Sequence, residues 1–435
     1  MTTATRNSGS PPPTIDVQNL PFPPSFQDLK ETIQAASRGR TKKKGEESDF
    51  SAAVRETYER RGYELASATY YYWGSLVDSS NVDCLLTSEK QCVLIDARPK
   101  MLGGRQRSRF ALAVNDGGIK YYSVKCAANE LIIDGAARKL GKYITEEHLE
   151  PLPRQYIWRE DQISPPLDVK EASSDALYEL GKVQRRRLLF PAGKSIQVLS
   201  IVASELRPEE RNVIISDLAK YKDFGCVNIQ RLWGSMVTDT QITVLLEDTA
   251  TGTLSDYVTS ETRSSGELLK FARQMATAVD FFDRTKFVHK KLSIDVCLVT
   301  VDATLKMIVF GLSTGLVPKR IYVDDAERCR WMPWECLKGT DGEPEPYDQT
   351  AMIWTLATMV WSMFHRAAIP FENESGPEIR SREYRKNYTL DVMEELLPNG
   401  LLELLQACWA ERRKRPTCRD VLKTIKKLEH REQRP

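Results

Sequence analysis

Residues 287–299 read FVHKKLSIDVCLV. A histidine, a charged residue two places on, a leucine and an apolar strand form a frame in which one loop could serve a proton transfer. Lys291 is the charged residue of that frame. A lysine titrates at about 10.4, so it stays protonated at neutral pH unless strongly desolvated. Val296 closes the loop, and a valine has no oxygen to offer a hard cation. Asp295 beside it has one, displaced by a residue. Farther on, KMIVFGLS (306–313) sets Val309 ahead of Phe310-Gly311, again a hydrocarbon before a turn. Upstream, Gly181 in LGKVQRRR (180–187) precedes three arginines, which could attract phosphate or form a solvated strand face. Asp96 and Arg98 share one face of an apolar strand. Nine dispersed cysteines form no C-x-x-C pair, which argues against zinc or a redox motif and for free thiols in a reducing compartment.

These residues need elements to hold them. Residues 1–67 are mostly polar, with Pro11, Pro12 and Pro13 and the basic run RGRTKKK (38–44), and are expected to be mostly disordered. SAAVRETYERRGYEL (51–65) has the spacing of one short helix. The basic run reads as a nuclear address, an acidic-lipid contact or, more simply, a solvated linker. The N-terminus has no apolar core, so no signal peptide is expected. With 62 basic and 60 acidic residues, nothing global directs the chain to nucleic acid. MIWTLATMVWSMF (352–364) is too short to span a bilayer and reads as a buried core helix. A cytoplasmic protein is expected, with a peripheral position at the plasma membrane as the variant. Residues 68–155 alternate as short strands: a helix start at 78–86, strands at 92–98, 109–115 and 120–126, a Gly117-Gly118 turn, and a helix over 140–152. That is an α+β module. A linker over 156–176 leads to a second domain over 177–430.

The module resembles a Src-homology-2 (SH2) domain at YYYWGSL (70–76) and VLIDAR (93–98). The resemblance implies a phosphotyrosine pocket. The slot of its arginine holds Asp96, its histidine falls at Tyr121 and its helix arginine near Ser79, with Arg98 as a partial substitute. A carboxylate repels phosphate, and losing an Arg–phosphate fork forfeits a strong charge-assisted pair. Residues 177–430 resemble a bilobal tyrosine-kinase domain, at GTLSDYV (252–258), ARQMATAVDFFDRTKFVH (272–289), KMIVFGLS, RCRWMPWE (328–335) and LLQACWAERRKRPT (404–417). The order SH2 then kinase resembles the Fes/Fer group of cytoplasmic tyrosine kinases, in the short nematode Fer-like format.

That resemblance implies an ATP site and assigns its slots. Gly181 heads the glycine loop, with Val183 and Arg186 in the other glycine positions; Leu199 stands in the lysine slot, Asp217 in the helix-acid slot and Glu247 at the hinge. Lys291 takes the base position, and Val296 and Val309 take the magnesium positions. His289, Phe310, Gly311, Glu335 and Arg415 are the fold-holding residues, and Tyr322 falls in the activation-loop segment as a phosphosite or merely an exposed tyrosine. Scaffold kept and chemistry removed predicts a pseudokinase: no cofactor, and a scaffold or allosteric regulator whose partners are other signalling proteins, including an active tyrosine kinase. Two alternatives stand. One is an atypical ATP- and magnesium-dependent tyrosine kinase using Lys194 or Lys182 with Asp295. The other is a phosphotyrosine-reading adaptor using Arg98.

Overall fold

The computed structural model describes residues 61–74, 82–83, 85–97, 110–127, 130–133, 138–167, 181–189, 194–222, 224–249, 252–310, 325–340, 342–388 and 390–433. The expectations for residues 1–60, Ser79, Arg98, Gly311 and Tyr322 lie outside them. Residues 61–67 are helical (α1).

Alternating apolar residues build the first sheet. It runs β1 (Tyr72–Gly74), β2 (Gln91–Asp96), β3 (Phe110–Asn115), β4 (Ile119–Ala127), β5 (Glu130–Ile133) and β6 (Arg138–Lys139), each strand beside the next. The helix α2 (Leu140–Glu146) is shorter than the expected 140–152. His148 takes a φ of +52°, which a helix cannot continue. The chain returns extended as β7 (Glu150–Pro151), parallel to β2. Because side chains alternate across a strand, the sheet has two apolar faces. Cys92, Leu94, Phe110 and Leu112 meet Leu140 and Ile144 of α2, with Tyr63 and Leu65 of α1. Val93, Ile95, Ala111 and Ala113 meet a second sheet.

That second sheet is antiparallel, in the order β10 (Leu232–Val237), β11 (Gln241–Glu247), β9 (Ser195–Val202), β8 (Lys182–Arg187). Its Ile196, Val198, Trp233 and Leu245 share one core with the first sheet, joined by Trp73 and Trp158. The segment expected as a linker runs along both edges. Ser235 N–H donates to Tyr156 O at 2.8 Å, and Ser164 N–H to Arg187 O at 2.8 Å. The first edge requires Gly234: at φ +156°, a Cβ there would meet Tyr156 O at 2.3 Å. The opposite face places Leu199, Ile201, Val244 and Leu246 in a core with Ile214, Leu218 and Tyr221 of α3 (Pro208–Tyr221).

The larger lobe is helical: α4 (Leu254–Ser260), α5 (Ser265–Arg284), α6 (Ala326–Trp331), α7 (Gln349–Phe364), α8 (Gly376–Arg380), α9 (Arg382–Lys386), α10 (Leu401–Cys408) and α11 (Cys418–Glu432). Side-chain caps start several of them: Thr253 accepts from Asp256 N–H, Ser264 from Glu267 N–H, and Asp348 from Thr350 and Ala351 N–H. Helix α7 is buried from Ala351 to Phe364, as its uninterrupted apolar run predicts. A hairpin, β12 (Cys297–Val299) with β13 (Leu305–Met307), lies where the lobes meet. No described helix is long and apolar enough to cross a membrane.

Candidate functional site: the cleft between the lobes

The loop ahead of β12 hangs on His289, which is fully buried. Burial pushes its imidazole down to about 4, so the ring is neutral. Its Nδ1 then accepts the Lys291 N–H at 3.3 Å while Nε2 lies 2.7 Å from Ile308 O, as donor. His289 N–H points at Met352 Sδ on α7, 3.3 Å away. The loop backbone is thus fixed from three sides. Lys291 is half-buried, and Asp295 points outward in a 3₁₀ turn. Val296 and Val309 are buried and lie in one apolar core with Phe310, whose ring meets Tyr221 edge-on at 6.1 Å. Among the described residues no group of three or more His, Cys, Asp or Glu is placed to hold a metal ion.

The β lobe differs from its expected layout. Of the two expectations for LGKVQRRR, arginines that attract phosphate or a strand face, the strand is what forms: Lys182–Arg187 pairs with β9 from Lys182↔Ser200 to Arg187↔Ser195. Gly181 is needed for that close approach, since a Cβ there would meet Ser200 O at 2.1 Å. The neighbouring strand position is taken by residues 163–167, bonded to β8 through Ile163 and Leu188 and through Leu167 N–H to Arg185 O. The connection over 168–180 contains no glycine in the sequence.

Leu199 is fully buried and pairs with Val183 and Val244. Lys182 alternates with Val183, so it projects from the opposite face and is exposed. Asp217 is half-buried on α3. On the cleft face Arg185 ion-pairs with Asp248 at 3.2 Å, and Ser195 Oγ donates to the same carboxylate. Gln230 Nε2 donates to Gln197 Oε1 at 2.9 Å and to Glu247 O at 3.0 Å. Glu247 receives Lys306 Nζ at 2.9 Å. The strand-end acids and amides of the cleft are therefore bonded to one another.

Two further clusters complete the picture. Arg415 holds Glu335 through contacts of 2.6 and 3.0 Å, with the arginine side chain fully buried. In the first sheet, Asp96 accepts a hydrogen bond from Tyr72 Oη. Asp96 pairs with Phe110 and so lies on the α2 face, whereas Tyr121 pairs with Ala113 and packs on the opposite face. Asp96 and Tyr121, expected as residues of an impaired pocket, thus lie on opposite faces of the sheet, because a one-residue difference in strand parity reverses the face. Sequence reading missed Arg154, Arg231 and Trp233, whose signal is the cation–aromatic alternation in PRQYIWR and QRLWG. Arg231 lies over the Tyr72 and Trp233 rings, and Arg154 over Tyr156 and Trp233.

A sequence profile described as protein tyrosine and serine/threonine kinase matches residues 179–425. A putative molluscan insulin-related peptide(s) receptor from Lymnaea stagnalis is 25% identical over 230 residues, 50% of this chain and 14% of that protein. The insulin receptor-related protein of Cavia porcellus is 26% identical over 239 residues, 51% of this chain and 18% of its own. The serine/threonine-protein kinase LMTK3 of Mus musculus is 24% identical over 287 residues, 60% of this chain and 20% of its own. The chain therefore spans no more than a fifth of the length of these three relatives.

Proposed function

The chain belongs to the family of protein tyrosine and serine/threonine kinases, and from that premise we propose a catalytically silent member acting as a scaffold or allosteric partner in intracellular tyrosine-kinase signalling. The observation that carries this reading is the burial of Val296 and Val309 in a single apolar core. Family chemistry needs a magnesium ligand at each of those positions, and no valine can supply one. The donor set in the cleft does not fit ATP with magnesium. Leu199 brings no ammonium to the phosphates, and Lys291 brings a cation where a base is required. Several such losses act on one transition state together, so no single remaining group rescues the reaction.

The strand order of the first sheet, with α2 on one side and β7 parallel to β2, supports reading it as an SH2-like module in the Fes/Fer arrangement. Asp96 is already bonded to Tyr72, which favours a protein-facing structural role for the module over phosphotyrosine binding. Of the catalytic alternatives, Lys182 lies on the strand face opposite Val183 and so projects away from the cleft, which weakens its use by an atypical kinase.

A ligand that binds the native state must raise its melting temperature. Thermal unfolding with saturating ATP, with and without magnesium, is expected to give the same Tm. A magnesium-dependent rise would overturn the silent reading.

A further inference from the structure

We propose that Tyr63 of α1 together with Tyr72 and Asp96 of the first module form a guanidinium-binding site, that Arg231 of the β lobe occupies it in cis, and that this occupancy fixes the connection between the lobes. Arg231 is buried, 3% exposed. Its Nη1 donates to Tyr63 Oη at 3.0 Å. Its guanidinium carbon stands 4.7 Å from the Tyr72 ring centroid, 4.9 Å from Trp233 and 5.5 Å from Tyr63. The remaining Nε and Nη2 have no hydrogen-bond partner among the described residues, so ring faces rather than oxygens meet that side of the cation.

A buried charge with no counter-charge is strongly disfavoured, and the acid acting on this one is Asp96. Burial alone would weaken Arg231's hold on its proton; the Tyr63, Tyr72 and Asp96 oxygens reverse that, leaving it above the usual arginine range. Asp96 in turn accepts from Tyr72, whose hydroxyl is kept protonated by burial and then by that carboxylate. A planar, weakly hydrated guanidinium suits three rings and one acid; an ammonium would not, because it is compact and strongly hydrated.

The same arginine is tied to the interlobe connection by its backbone. Arg231 N–H donates to Glu247 Oε2 at 3.1 Å, and Glu247 N–H donates to Arg231 O at 2.8 Å. Glu247 ends β11, from which the chain passes to the helical lobe, and its carboxylate receives Lys306 of β13. Asp96, Tyr72, Arg231, Glu247 and Lys306 therefore form one contiguous series from module to helical lobe. This goes beyond the proposed function, since the lock would act alike in a silent or an active lobe.

Hydrogen exchange on the full chain tests it, comparing Asp96→Asn, Arg231→Lys and the double variant. Each single change is expected to speed exchange at the Arg231 and Glu247 positions by roughly tenfold while α5 amides keep their rates. The double variant should be no faster than the faster single, as for two residues of one interaction. Unchanged rates at both positions, rates that multiply in the double variant, or equal speeding throughout α5 would each overturn the proposal.

Discussion

In the helical lobe Val296 and Val309, which the resemblance to a kinase domain sets in the magnesium positions, both run into the core. On the β-lobe side of the cleft, polar groups are bonded to one another: Arg185 on Asp248, Gln230 on Gln197, and Lys306 reaching across to Glu247. The first solution removes polar atoms and gains apolar contact. The second keeps them and satisfies them internally, which is nearly neutral in stability when every partner is present. Hydrocarbon burial and mutual polar pairing are two ways to line a cleft, and the two should respond differently to substitution.

The largest effect is expected on the hydrocarbon side. Val309→Asp places a carboxylate in the core without a counter-charge and should cost about 3–5 kcal/mol in urea unfolding. Added magnesium should restore none of it; recovery would mean that one oxygen suffices there, and the comparison would fail. Next comes acid sensitivity. Burial holds His289 at about 4 in the folded chain against 6.5 as its ordinary value, so the unfolded chain binds the extra proton between those limits. The contribution is complete above 6.5 and lost as pH falls towards 4, by about 3 kcal/mol in all. His289→Gln should flatten that part of the stability profile; an unchanged slope would remove His289 as its origin. The smallest effect lies on the paired side. Arg185→Val removes one partner of a largely buried Asp248, which keeps Ser195 Oγ, and should shift stability by about 1–2 kcal/mol. A loss as large as that at Val309 would make the two linings equivalent.

Much of this could be read from the chain. Strands β2, β3 and β4 fall within two residues of the expected 92–98, 109–115 and 120–126, because period-two alternation is a local property. Helix α7 contains the expected 352–364 run and begins three residues ahead of it. What the sequence left open shares a cause. LGKVQRRR carries a glycine and three arginines, as a phosphate loop could, but its strand character comes from pairing with Ser195–Ser200. Asp96 and Tyr121 suit one pocket by sequence order, and register sends them to opposite faces. The early end of α2 follows from a positive φ at His148, a residue type that does not announce one.

What the sequence determined by itself is the list of chemical capacities. A valine has no oxygen and a leucine no charge in any conformation, so what Val296, Val309 and Leu199 can offer a ligand was decided by residue type. Only the tertiary structure decided what fills the space around them. Lys306 meets Glu247, and Arg231 meets Tyr63 from 168 positions away, because strand register and sheet-on-sheet contact bring them together. Those are long-range geometric facts, and no local pattern of charge or hydropathy encodes them.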